Sequence, residues 1–385
     1  MRLHLLLPTV GTTIAPPPVC HWCQSAQIGH WQTVKKPLRD TRLEQVTAER
    51  YGCRACGRTF RVYPAGVTHA ASSQRLRGMA VLLYLLGLSY GAVALALTAL
   101  GYPWSKTSVY DAVQAAAARV PGLRREAVFN GVRTPALASD LTSVRCKGKW
   151  LSLGVTVDDL SGQVLTIDAL SAEDAATLQA WMRPIAEQVG ARLLITDDAD
   201  SFKQVAAALG LPQQVCKAHV VRNTEVLMET LAPLAAQDRD GSLAQVGVTP
   251  TQALADLAQL GRPVHQRQPA DAAHLWGLHQ RYLGARVPHK GESASLAYRL
   301  RILFLDRWNL WGKLTRYRTW RGPHGEEVDG TNNGCERGIG WWIKERYRPM
   351  RGYKRVQSAV NVSRLLAWCG NQLDRGGADL ALLLH

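Results

Sequence analysis

The stretch that decides the fold runs from Ala136-Leu137-Ala138-Ser139-Asp140, through Leu151-Ser152-Leu153-Gly154-Val155-Thr156-Val157-Asp158, to Arg192-Leu193-Leu194-Ile195-Thr196-Asp197-Asp198. In its middle, Leu151, Leu153, Val155 and Val157 alternate with small or polar residues, the period of a half-buried strand. Asp159-Leu160-Ser161-Gly162 then reads as a turn into Gln163-Val164-Leu165-Thr166-Ile167-Asp168, which predicts a hairpin. Leu178, Trp181, Met182, Ile185 and Val189 fall on one face of a helix, which Pro184 is expected to kink. A buried strand over 192–196 ends at Asp197, and another helix and a short strand near Gln214 to Cys216 follow. The order strand, strand, strand, helix, strand, helix, strand is that of an α/β domain.

Upstream, Cys20-His21-Trp22-Cys23 and Cys53-Arg54-Ala55-Cys56 form two CxxC pairs separated by 29 residues. A CxxC turn places two thiolates on one knuckle, and two knuckles close a tetrahedral Zn2+ site. The long spacing leaves room for an extra strand; His21 and His30 are alternative ligands, although four thiolates already satisfy the metal. Between residues 71 and 128 three helices are expected, near Leu76–Leu86, Ser89–Leu100 and Ser105–Arg119, with Ser105 as N-cap of the third. Gly101-Tyr102-Pro103-Trp104 is the short turn before it, as in a helix-turn-helix. Lys106, Thr107, Ser108 and Tyr110 then occupy the turn that would reach DNA; an ordinary helical hairpin is the plainer alternative.

Downstream, residues 222–325 carry a helical pattern with Trp276, Trp308, Trp311 and Trp320, and read as an insertion. Thr331 to Leu373 reads as a returning helix with Glu336 near its start, weakened at Gly334, Gly338 and Gly340.

The 385 residues carry 46 Lys+Arg against 30 Asp+Glu, a formal charge of +16. Such a field concentrates polyanions, so nucleic acid is the expected partner. Residues 1–130 hold 15 basic and 5 acidic side chains, and 337–355 hold 7 basic and one acidic. The second run, Arg337, Lys344, Arg346, Arg348, Arg351, Lys354 and Arg355, is interleaved with Trp341, Trp342, Tyr347 and Tyr353. It suits phosphates and unpaired bases, or else forms a solvated basic face. Clustered cysteines argue for metal ligation in a reducing cytosol over disulfides. No signal peptide is read in the first residues. The 28 uncharged residues from Gly78 to Ser105 are broken by Gly87, Ser89, Gly91, Thr98 and Gly101, and no membrane span is expected.

Asp140 and Asp197 each follow an apolar strand, and Glu336 would come from a neighbouring helix. Three carboxylates converging on a pair of divalent cations are what phosphodiester cleavage requires. Taken singly, each also suits an ordinary turn, cap or solvated position. Asp198 competes with Asp197 for the second place, and Asp158 and Asp159 read as hairpin-turn residues.

Ser139-Asp140, Ile195-Thr196-Asp197-Asp198, Cys216-Lys217-Ala218-His219 and Thr331-Asn332-Asn333-Gly334-Cys335-Glu336-Arg337, with the basic run behind them, resemble the elements of bacterial insertion-sequence transposases. These are enzymes of the DDE type that share a cysteine, two residues, histidine element with mutator-like and hAT-like enzymes. The resemblance spans the chain. It implies a ribonuclease-H-like mixed sheet with an all-α insertion, and Asp140, Asp197 and Glu336 as ligands of two Mg2+ ions, with Mn2+ as a substitute. Cys216 and His219 are implied to act structurally or in positioning, with metal binding as the alternative. The expected division is a zinc ribbon at 1–70, a helix-turn-helix at 71–128, a catalytic core at 129–221 and 326–385, and a helical insertion at 222–325. The partners implied are double-stranded DNA, as transposon ends and target, and a second copy of the chain, at the nucleoid in the bacterial cytoplasm. A DNA-binding regulator with an inactive ribonuclease-H-like domain is the competing expectation.

Overall fold

The computed structural model describes residues 4–120, 132–260, 272–347 and 352–384. The chain forms two compact units, one from residues 1–123, 143–151 and 338–385, the other from 124–142 and 152–337.

The second unit holds most of a mixed sheet, whose residues 143–151 belong to the first unit. Its strands are β5 (Ala136–Cys146), β6 (Lys149–Asp158), β7 (Gln163–Leu170), β8 (Leu193–Thr196) and β9 (Gln213–Val215), in the spatial order β7-β6-β5-β8-β9. β6 and β7 are an antiparallel hairpin, whereas β5, β8 and β9 run parallel. The hairpin turn is made by Asp158, whose carboxylate accepts from the Thr134 and Ser161 hydroxyls, both at 2.6 Å, and from the Leu160 amide. Parallel strands need crossovers, and these are α4 (Ala175–Val189) and α5 (Asp200–Leu209). Each ends at a glycine in the left-handed region, Gly190 and Gly210, where a side chain would be strained.

The apolar face read for α4 is the buried one: Leu178, Trp181, Met182, Ile185 and Val189 pack with Leu137, Leu165, Leu194 and Phe202. Pro184 lies within a helix that runs unbroken from Ala175 to Val189. Trp181 sets a demand on the strand beneath it, since a Cβ at Gly154 would stand 2.6 Å from its ring. Its indole N–H donates to Asp168 at 2.9 Å. The order of elements and the mixed sheet fit a ribonuclease-H-like α/β fold.

After β9 the chain is helical, as expected. α6 (Lys217–Gln237) leads into helices at Ser242–Gln245, Pro250–Ala258, Ala273–Arg281 and Leu296–Leu314. They enclose their own core, with Leu243, Leu257, Tyr282 and Phe304 among its members. Buried Asp256 is held there by the Tyr282 hydroxyl at 2.9 Å, by Gln252 and by Arg281.

The expectation of a single helix from Thr331 to Leu373 is corrected. A short α-helix, Asn333–Arg337, passes into a π-helical stretch, Gly338–Lys344, and the next long helix is Val356–Asp374. Gly334, Gly338 and Gly340 offer no side chains to favour the tighter α geometry, and wide turns of this kind occur where ideal helix is weak.

In the first unit, β2 (Ile28–Pro37), β3 (Gln45–Cys53) and β4 (Thr59–Val62) form an antiparallel sheet, and β1 (His4–Leu6) pairs in parallel with β10 (Gly377–Asp379). α1 (Gln74–Leu85), α2 (Tyr90–Ala99) and α3 (Lys106–Ala118) are capped by the hydroxyls of Ser73, Ser89 and Ser105. No helix among the described residues is long and apolar enough to cross a membrane.

Candidate functional site

The register of the parallel strands places the first two aspartates. Ala138 pairs with Ile195, and Asp140 and Asp197 each lie two residues further on; Asp197 stands just past the end of β8, whereas Asp140, expected after a strand, lies within β5, which continues to Cys146. On the other side Thr196 pairs with Val215, which brings Cys216 to the same edge as Asp197. In open α/β sheets this is the edge where ligands collect, because the strands end there and the connections diverge.

α6 begins directly after Cys216, and the one-turn spacing puts His219 and Arg222 on one side of it. Both reach Glu336: His219 Nε2 is 3.4 Å and Arg222 Nη2 3.6 Å from Glu336 Oε1. Asn332 fastens the short Glu-bearing helix to the sheet. Fully buried, it donates from Nδ2 to the Ser139 carbonyl at 3.0 Å, and its backbone N–H donates to Cys216 Sγ at 3.2 Å. Its own carbonyl accepts from the Glu336 amide at 2.9 Å. One asparagine thereby links β5, the end of β9 and the Glu336 helix.

The electrostatics reflect this convergence. Burial pushes the Asp140 carboxyl up to about 6, and the charges of Asp197 and Glu336 add to the rise. The Leu141 amide, 2.8 Å from Asp140 Oδ1, and His219 act against it. His219 is held above the usual imidazole range, chiefly by the Cys216 sulfur and then by the charges of Asp140 and Glu336, against the cost of burial. Asp159 rises to about 7 through burial and the nearby carboxylates of Asp329 and Asp158.

Asp197 and Asp198 are separated by their partners. Asp198 forms an ion pair with Lys203 at 3.0 Å, whereas Asp197 accepts from the Ala199 amide and its charge is felt at Asp140. The strand ends at Thr196, as the run of apolar residues implied.

The carboxylates of Asp140, Asp197 and Glu336 share one region but do not close to mutual ligand distance. Among the described residues, the side-chain groups whose ligand atoms all lie within 4.8 Å are the four cysteines and the set Cys216, His219 and Glu336. A divalent cation would offset the burial that chiefly raises Asp140 and the repulsion from Asp197 and Glu336 that adds to it. Glu336 Oε1 is buried with no hydrogen bond among the described residues, an acceptor suited to such a cation.

Beside the site opens a cavity of about 950 Å3, lined among others by Lys217, Arg222, Tyr317, Arg318, Arg321 and Asp329. Lys217 Nζ stands 4.5 Å from the Tyr317 ring centre. Glu225 and Glu327 line the cavity as well, the latter paired with Arg321 at 2.8 Å, and neither this rim nor Arg222 was singled out from the sequence. The signal available for Arg222 was its helical spacing from His219.

In the other unit, Sγ of Cys20 lies 3.8 Å from that of Cys56, and Cys23 lies 3.6 Å from Cys53. Four thiolates around Zn2+ at about 2.3 Å would stand roughly 3.8 Å apart, so the cluster is compatible with structural zinc. The 29 residues between the pairs hold most of the β2–β3 hairpin. Neither candidate histidine joins the cluster: His30 pairs with Glu49, and His21 packs by Trp22 and Phe60.

Lys106, Thr107 and Ser108 are exposed on the first turn of α3. Tyr110 is half-buried, with its hydroxyl 2.9 Å from that of Ser358 and its ring against Tyr90. Arg337, Lys344 and Lys354 are exposed; Arg348 and Arg351 lie outside the described residues.

No protein-family model matches the chain. No curated protein matches it either. Solved structures that it resembles include the integrase catalytic core domain of HTLV-2 in complex with magnesium, at 16% identity over 26% of this chain and 75% of that one, with a TM-score of 0.19. The catalytic core domain of BIV integrase matches at 15% identity over 39% and 99% of the two chains, TM-score 0.19. A simian T-cell lymphotropic virus intasome matches at 15% over 58% and 73%, TM-score 0.20. Nothing about the activity of the present chain follows from likeness at that level.

Proposed function

We propose that this chain is a DNA transposase of the DDE type, which cuts transposon ends and joins them to target DNA. The observation that carries the reading is that Asp140 and Asp197 each lie two residues beyond the paired Ala138 and Ile195 of neighbouring parallel strands, with Glu336 tied to β5 through Asn332 and the charges of Asp197 and Glu336 felt at Asp140. Asp140, Asp197 and Glu336 would hold two Mg2+ ions, or Mn2+. When bound, such ions generate a nucleophile from water at neutral pH and stabilise charge on the phosphate oxygens.

The chain's own side chains supply the rest. Asn332 fixes Glu336 relative to β5, and His219 and Arg222 hold positive charge against the Glu336 carboxylate. Lys217, Arg318 and Arg321, on the rim of the adjoining cavity, take phosphates of the strand that leaves the site. Cutting exposes a 3′-hydroxyl, which is then the nucleophile in joining.

The division proposed is a zinc ribbon at 1–70, a helix-turn-helix at 71–128, a ribonuclease-H-like core at 129–221 and 326–385, and a helical insertion at 222–325. Cys20, Cys23, Cys53 and Cys56 hold the structural Zn2+. Lys106, Thr107 and Ser108 face the inverted repeat; Tyr110, committed to Ser358, supports the recognition turn from behind. Arg337, Lys344, Arg348, Arg351 and Lys354 grip phosphates near the cut. The protein works as a dimer or larger assembly, since two ends must be paired.

The deciding experiment offers pre-cut end DNA and a supercoiled target with Mg2+. Joined product is the expected result. A nuclease would only nick, and a regulator with an inactive core would bind without producing either.

A further inference from the structure

We infer that Cys216, His219 and Glu336 form a second, thiophilic metal site, which takes Zn2+ and in doing so withdraws Glu336 from the carboxylate centre. The inhibitory part rests on the proposed function; the binding part does not.

The ligand set comes from two elements far apart in the chain. Cys216 follows β9 at the N-cap position of α6, and His219 lies on the first turn of that helix, so both project to one side. The third ligand arrives with the Asn333–Arg337 helix, and all three ligand atoms lie within 4.8 Å of one another. His219 Nε2 and Glu336 Oε1 are 3.4 Å apart. Two ligands bound to Zn2+ at about 2.1 Å in tetrahedral geometry would stand about 3.4 Å from each other, so these atoms need little movement to share an ion.

Chemistry decides the kind of metal. A thiolate, an imidazole and a carboxylate suit Zn2+ and poorly suit Mg2+, which prefers six oxygens. Three protein ligands also leave the fourth tetrahedral position open to water or a DNA oxygen. Cys216 is fully buried, and its sulfur accepts from the Asn332 amide at 3.2 Å. On binding, Cys216 gives up its thiol proton and His219 any proton on Nε2, both to buffer, and no electron is transferred.

Glu336 is the shared element. An Oε1 coordinated to Zn2+ beside Cys216 is no longer available to cations held by Asp140 and Asp197. Zinc should therefore oppose magnesium by competition for one carboxylate.

The test uses full-length protein carrying one Zn2+ at the four N-terminal cysteines, titrated with Co2+ as a spectroscopic probe. One further equivalent should bind, with the visible bands of tetrahedral Co2+ and charge transfer from a single thiolate. Cys216→Ser should abolish the charge-transfer band. Glu336→Gln, at a half-exposed position that should fold normally, should weaken binding at least about tenfold, as expected when one of three protein ligands is lost. No additional equivalent, or one unaffected by both substitutions, would overturn the inference. Strand cutting in Mg2+ alone is measured separately. Its absence would sink the proposed function while leaving the Co2+ stoichiometry standing, and cutting indifferent to Zn2+ at site-filling concentrations would refute the competition.

Discussion

Replacing Asn332 with alanine tests how the third carboxylate reaches the other two. The substitution removes the Nδ2 donor to the Ser139 carbonyl, 3.0 Å away in a fully buried position, while the backbone contacts to Cys216 and Glu336 remain. Losing one hydrogen bond and leaving a buried acceptor without that donor costs roughly 1–3 kcal/mol of stability. The effect on chemistry should be larger than that figure suggests. Ser139 adjoins Asp140, and the Asn332 side chain is the tie between that strand and the start of the Glu336 helix. A displacement of about 1 Å at a reacting centre can cost on the order of a hundredfold in rate. Urea unfolding should therefore show a modest loss, and Mg2+-dependent cutting of end DNA a severe one, with DNA affinity nearly unchanged. Destabilisation in that range with cutting preserved would refute the positioning argument, because Glu336 would then owe its place to something else.

Other consequences can be measured directly. Gly154→Ala sets a methyl group against the Trp181 ring, a contact of 2.6 Å, and should cost about 1–3 kcal/mol in urea unfolding through overpacking. Asp159 has a folded value near 7, above its ordinary one, so its burial favours the native state at low pH and opposes it as pH rises from about 4 to 7. Asp159→Asn should flatten that fall, which amounts to at most about 4 kcal/mol, when thermal midpoints are compared across pH. Cys53→Ser should release zinc and loosen the β2–β3–β4 sheet, seen as one metal fewer per chain and loss of protection from proteolysis in residues 20–60.

Much of the core was legible because each element carries its own period. Leu151 to Val157 alternate, the α4 face repeats at helical spacing, and the run before Asp197 is too short and apolar for anything but a buried strand. The Ser105 cap and the two cysteine pairs were visible for the same local reason. What could not be read were meetings across long separations. Cys216 and Asn332 are 116 positions apart, and nothing in either neighbourhood says that one amide will donate to the other's sulfur. The choice between Asp197 and Asp198 turned on a single residue of strand length; in space the strand ends at Thr196 and Asp198 pairs with Lys203. The glycines after Thr331 announced a weak helix but not its form. The π-helical stretch and the separate helix at Val356–Asp374 depend on packing that the spacing alone does not encode.

The central claim is that three acidic side chains act on one phosphate, and single alanine replacements test it most directly. With end-DNA binding measured in parallel, Asp140→Ala, Asp197→Ala and Glu336→Ala should each lower Mg2+-dependent cutting by at least about a hundredfold while binding persists. Asp198→Ala, which loses the ion pair with Lys203, should keep most of its activity. Robust cutting by any of the first three variants, with the protein folded and DNA bound, would contradict the account.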